Sequence, residues 1–98
     1  MGYEIAWADE ALRDLEALVA YIATNNPGRA LQAGEDILGH TETLRAFPRI
    51  GPVYEHAQDP RVRHVICDPY HIFYQVDDTP PVVHILHVWH SARQDPTL

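Results

Sequence analysis

Residues 61–90 read RVRHVIC-DP-YHIFYQV-DDTPP-VVHILHVWH, and this stretch decides the fold. Tyr70, Ile72, Tyr74 and Val76 alternate with His71, Phe73, Gln75 and Asp77, which is the two-residue period of a strand. Arg61–Cys67 and Val82–His90 flank it and are rich in β-branched and aromatic residues. Asp68-Pro69 and the run Asp77 to Pro81 supply the turns between them, because proline presets φ and short acidic side chains bond locally to the backbone. Three strands joined by short turns make an antiparallel meander.

Upstream of residue 60 the period changes. Tyr3, Ile5 and Trp7 fit one short strand. Asp9 is then a candidate helix N-cap, and Leu12, Leu15, Leu18, Val19 and Ile22 recur at three- and four-residue steps. Asn26-Pro27 restarts a helix with asparagine as the cap and proline where no backbone donor is needed. Ala30, Ala33, Ile37, Thr41 and Leu44 carry its apolar stripe. These spacings predict helices over residues 9–25 and 27–46 in an antiparallel hairpin, with Gly34 and Gly39 allowing close helix contact. Pro48 to Pro60 reads as a loop in which Val53–His56 is the one candidate edge strand. The expected fold class is α+β: two layers, with an N-terminal strand, a helical hairpin on one sheet face and a C-terminal meander.

At 98 residues the chain is one domain, 1–98. Its longest apolar run, Ala17 to Ala23, is too short to span a bilayer. No basic-then-apolar leader opens it, so a cytoplasmic protein is expected. The single cysteine, Cys67, excludes an internal disulfide and a multi-thiolate zinc site. Fourteen acids against seven arginines and no lysine give a net charge of −7, which disfavours direct binding to a phosphate backbone. The acid excess is concentrated before residue 45, and six of the seven histidines follow it. The second half is therefore nearly neutral and becomes cationic if its histidines protonate.

His84, His87 and His90 have a three-residue spacing. Strand geometry places His84 and His90 on one face and His87 on the other, so a shared metal ion is not expected there. Arg61 and Arg63 share a strand face by the same count, and with Arg93 and His90 they form the candidate set for binding an anionic or acidic surface. No glycine-rich phosphate loop, nucleophile elbow or zinc-protease motif is present.

Asp14-Leu15, Tyr21-Ile22, Phe47-Pro48-x-x-Gly51, Tyr70-x-Ile72-x-Tyr74-x-Val76 and His90-Ser-Ala-Arg93 together resemble the RelE/ParE toxin superfamily of type II toxin–antitoxin, plasmid-stabilisation-like modules. The resemblance spans nearly the whole chain in order. It implies a RelE/ParE-like fold with the first strand beside the last, growth inhibition as the activity, a cognate antitoxin as partner and no cofactor. Assembly as a homodimer or as a hetero-oligomer with the antitoxin is left open.

The superfamily holds two activities. RelE-like members cut messenger RNA on the ribosome with a basic surface; ParE-like members inhibit DNA gyrase by binding. Here His71 and Ser91 stand where RelE-like enzymes often carry arginine, and lysine is absent. The resemblance therefore implies the ParE-like branch, with gyrase as target, Arg93 and His90 as leading contacts, and Arg61 and Arg63 behind them. The alternatives are a RelE-like nuclease using His90, His71 or Tyr70 for proton transfer, and an inactive member that only binds its antitoxin.

Overall fold

A computed structural model of the chain describes residues 2–91. Its elements are β1 (Glu4–Trp7), α1 (Asp9–Ala23), α2 (Pro27–Thr43), β2 (Val62–Cys67), β3 (Tyr70–Asp78) and β4 (Pro81–His90). The sheet order is β1-β4-β3-β2. β2, β3 and β4 form the expected antiparallel meander, and β1 lies parallel to β4, pairing Glu4 with Val82 through Trp7 with Ile85. Both helices pack on one sheet face: Ala11, Ile37 and Leu44 share a core with Ile72, Tyr74, Val76, Val83 and Ile85.

The two helix starts differ. At α2 the Asn26 carboxamide accepts the Arg29 N–H at 3.1 Å and Pro27 opens the helix, as the Asn-Pro pair predicts. At α1 the cap residue is Ala8, with no side-chain cap bond, and Asp9 already lies inside the helix. The Ala8 N–H is instead committed to the Ile85 carbonyl at 2.9 Å, so the sheet fixes where the helix begins. Asp9 and Glu10 then sit in the first turn, where their charge opposes the helix dipole favourably. α2 ends three residues before the expected boundary. Bonds from Leu44, Arg45 and Ala46 to carbonyls three residues earlier tighten the chain ahead of Pro48.

The larger departure lies in β4. Phe73 pairs with His87 and Tyr74 with Ile85, leaving Leu86 as the extra residue of a β-bulge. A bulge inverts the face count beyond it. Val83, Ile85 and Val88 therefore all join the helix-side core, while Leu86 and Trp89 join a second cluster with Tyr54, Val62 and Phe73 on the opposite face. Uninterrupted period-two counting groups Val88 with Leu86 and Trp89 with Ile85, and the structure corrects both. The same inversion separates His90, paired with Tyr70 on the helix side, from His84, paired with Gln75 on the far face, while His87 reaches α1 at the open edge of the strand.

The loop from Pro48 to Pro60 is held by one residue. Gly51 donates its N–H to the buried Tyr74 hydroxyl at 3.0 Å. A Cβ there would meet the His64 carbonyl oxygen at 2.3 Å and the Tyr74 hydroxyl at 2.9 Å, so only glycine fits. Burial raises the Tyr74 hydroxyl's pKa above the ordinary value, against the smaller opposing effect of the Gly51 bond, and keeps it neutral. Beyond Gly51, Val53 bridges to Arg63, which reduces the candidate edge strand to a single bridge.

Gly34 does approach α1, since a Cβ on it would lie 3.8 Å from Val19, whereas Gly39 has nothing within 4 Å. Two substitutions with opposite signs follow. Gly51→Ala is expected to cost about 2–3 kcal/mol, because backbone and Tyr74 must move apart. Gly39→Ala is expected to gain up to ~1 kcal/mol from helix propensity. Urea unfolding of the two variants reads both.

Candidate functional site

β1 stops at Trp7, so the outer edge of β4 beyond Ile85 needs other partners. Asp14 of α1 supplies one. Its carboxylate accepts the Val88 N–H at 3.1 Å and lies 3.2 Å from His87 Nδ1, while Glu10 reaches His87 Nε2 at 3.6 Å. Asp14 thus ties the first turns of α1 to the last strand, a role its sequence neighbourhood does not disclose.

The arginines around the sheet are engaged within the chain. Arg61 donates two hydrogen bonds to the Asp59 carboxylate, at 3.2 and 2.9 Å, and lies 3.8 Å from Asp77. Arg63 turns the other way and donates to the Gly51 carbonyl at 2.7 Å. The pair expected to share a face is therefore split by its partners. Arg49 donates to Asp78 at 2.7 Å, and Tyr3 donates its hydroxyl to the same carboxylate at 2.6 Å. The Tyr3 hydroxyl first and Arg49 second hold Asp78 below the usual aspartate range, and Arg61 does the same for Asp59. Arg93 lies outside the described residues.

The sheet face turned away from the helices carries a group of rings. Tyr54, from the loop before β2, packs edge-on against His64 at 5.1 Å, His56 at 5.4 Å and Phe73 at 4.9 Å. His71 lies over Phe73 at 4.6 Å, and its Nε2 meets Nδ1 of His64. His64 and His71 are diagonal neighbours on paired strands, since His64 opposes Phe73 and His71 opposes Ile66. This cluster is a surface that sequence reading missed in part. Its one available signal is that two histidines flank the Asp68-Pro69 turn within a few residues.

Of the three proton-transfer candidates, Tyr70 and His90 are brought together and His71 is not. His71 is on the far face, whereas Tyr70 is buried in the helix-side core with His90 edge-on to it at 5.7 Å. Adjacent residues of one strand point to opposite faces, so His71 and His90 cannot flank one scissile bond. Ser91 closes the Asp68-Pro69 turn by bonding the Pro69 carbonyl through both its N–H and its hydroxyl. Among the described residues no three His, Cys, Asp or Glu side chains gather around a common point. A groove of about 490 Å³ runs between the end of α2, the Ile50–Pro52 loop and β2, floored by Leu44 and Val65. Ile50 and Ile66 on its rim are both well exposed.

Comparisons with known proteins agree on family and architecture. Residues 5–95 match the family model described as the ParE toxin of type II toxin–antitoxin systems. Among solved structures, a chromosomal ParDE system from P. aeruginosa superposes with a TM-score of 0.74 at 22% identity, over 90% of this chain and 95% of that one. The RelBE2 toxin–antitoxin complex of Mycobacterium tuberculosis gives 0.68 at 24%, over 92% and 99%. An archaeal RelE–RelB complex from Pyrococcus horikoshii gives 0.64 at 15%, over 96% and 100%. A comparison with curated proteins finds no match.

Two measurements probe the local geometry. Asp14→Ala leaves the Val88 N–H without its acceptor and is expected to cost about 1–3 kcal/mol in unfolding experiments. Asp78 has a folded pKa below its unfolded value of 3.8. Its contribution is therefore present above that value and lost as pH falls through the folded pKa. Asp78→Asn should be less stable than the parent chain near neutrality, and the difference should close below pH 3.8.

Proposed function

Because the chain belongs to the ParE toxin family of type II toxin–antitoxin systems, we propose that it stops growth by binding DNA gyrase and that a cognate antitoxin neutralises it. The observation that carries the choice of binding over cleavage is the separation of the imidazoles. His71 and His90 lie on opposite faces of the sheet, and Tyr70 is buried beside His90. Metal-free cleavage of a phosphodiester requires an acid and a base on the two sides of one phosphorus.

The arginines support the same choice. A protein that docks on RNA presents cations that neutralise phosphates. Here Arg49 and Arg61 are ion-paired with aspartates and Arg63 caps a loop carbonyl. With a net charge of −7, the Coulomb contribution to a ribosomal target is repulsive. The contacts assigned to the target are His90, the last residue of β4, and Arg93, three residues further along the chain, acting as hydrogen-bond donors to an acidic protein surface. A gyrase target carries with it a cytoplasmic location, since that is where gyrase acts.

An antitoxin partner is supported by uncovered apolar surface. Leu31 and Leu38 of α2 are 65% and 46% exposed, and Leu12 of α1 is 42% exposed. Leu31, Glu35, Leu38 and Glu42 follow one another at four-, three- and four-residue steps, which is one helical stripe. Such a stripe fits an amphipathic segment better than it fits bulk water. The relatives from M. tuberculosis and P. horikoshii are themselves complexes of a toxin with its antitoxin.

Purified protein should block gyrase supercoiling in vitro and leave ribosome-bound messenger RNA intact. Arg93→Ala should weaken the block at least tenfold, His71→Ala should not, and the cognate antitoxin should relieve it. Codon-specific messenger RNA cuts that disappear in His90→Ala or His71→Ala would overturn the proposal.

A further inference from the structure

We propose that His64 and His71 form a binding site for a divalent transition-metal ion of the imidazole-preferring class, on the sheet face turned away from the helices. This inference is independent of the toxin reading. It starts from the direction of the two ring nitrogens. Nδ1 of His64 and Nε2 of His71 lie 2.5 Å apart and face each other. Other imidazoles in the chain meet oxygens: His40 the Asp36 carbonyl, His84 the Asp77 carboxylate and His87 the Asp14 carboxylate. In the His64–His71 pair the two ring nitrogens instead meet head-on, with the ring centroids 4.8 Å apart, and an ion inserted between the rings would take a lone pair from each.

A hydrogen bond between two imidazoles uses one proton and one lone pair. A metal ion uses both lone pairs. The change needs no net proton loss from neutral rings, because the ring that carried the shared proton moves it to its other nitrogen. His64 then holds a proton on Nε2 and His71 on Nδ1. Two nitrogens at ~2.0–2.1 Å from a tetrahedral ion are about 3.3 Å apart, so the rings must separate by about 1 Å and also turn, because lone pairs that now face each other must be aimed at one ion between them. His64 is held by Tyr54 at 5.1 Å, and His71 lies over Phe73 at 4.6 Å. Both histidines are half-buried on hydrogen-bonded strands, so the entropy lost on ordering them is already spent in folding.

No third His, Cys, Asp or Glu joins the pair among the described residues. The remaining positions of the ion belong to water or to a ligand from solution, which makes the site open rather than closed. Ligand type selects the ion: imidazoles suit zinc, nickel and copper, whereas magnesium and calcium take oxygen donors. An ion held here ties edge strand β2 to β3 and stabilises the folded chain by mass action.

The test uses zinc on the full chain without a histidine tag. In the parent protein, zinc titration followed by NMR should move the imidazole signals of His64 and His71 before those of the other five histidines, with calorimetry reading one site per chain. The melting temperature should rise with zinc and not with magnesium. His64→Gln and His71→Gln should each weaken zinc binding more than the roughly 10–100-fold that loss of an outer-shell partner costs. His84→Gln should bind as the parent does. First shifts at His84 or His87, equal binding by the His64→Gln/His71→Gln double variant, or no saturable binding would each overturn the site. The NMR titration of the parent protein decides the matter even where a variant does not fold.

Discussion

β4 is a central strand, and the need to satisfy its backbone on both edges sets most of this molecule. β3 covers one edge throughout, while β1 covers the other for only four residues. The remainder is completed by α1: the Ile85 carbonyl accepts the N–H of the Ala8 cap, and the Asp14 carboxylate accepts the N–H of Val88. An unpaired buried N–H costs about 1–3 kcal/mol, comparable with a sizeable share of a small domain's stability. The helix therefore starts where the first strand ends and lies where its second turn reaches the last strand. α2 then follows from the hairpin, and the whole helical layer lands on one face.

Regular periodicity was enough to read that much. The helical stripes and the alternation in residues 70–77 are local patterns, and each maps onto one element. The bulge at Leu86 is not local. It arises because Phe73 and Tyr74 meet His87 and Ile85, two residues apart on the facing strand, so its signal resides in a pairing between segments. β4 is apolar on both sides of its chain, and a strand with no polar face does not disclose a one-residue slip. That single residue reassigned Val88, Trp89 and His90, which all follow it, relative to His84, which precedes it.

The site was legible to a lesser extent for a related reason. Residue types were visible but their commitments were not. Arg61 and Arg63 differ by two positions, yet one is bound by Asp59 and the other by the carbonyl of Gly51, on a loop that returns to β2. Asp14 reads as an ordinary helix-surface acid until its partner, 74 residues later, is known. His64 and His71 come together because the Asp68-Pro69 turn sets a register that makes them diagonal neighbours. Long-range partners convert a candidate cation into a spent one and two ordinary histidines into a pair.

The charge distribution gains a sharper meaning once those commitments are counted. Most acids of α1 and α2 face solvent with few cations among them, whereas beside the sheet Arg49 and Arg61 are paired with aspartates and Arg63 is held by the Gly51 carbonyl. The residual field is therefore negative over the helical layer and weak over the sheet. Exposed charges act at a range of about 8–10 Å at physiological salt, so this field steers encounters more than it holds complexes. It favours a cationic partner at the hairpin and disfavours phosphate anywhere. Lasting affinity must then come from the uncovered Leu31 and Leu38, each of which removes apolar area from water at about 25 cal/mol per Å² when a partner covers it. Affinity at the hairpin is thus apolar, and selectivity is electrostatic.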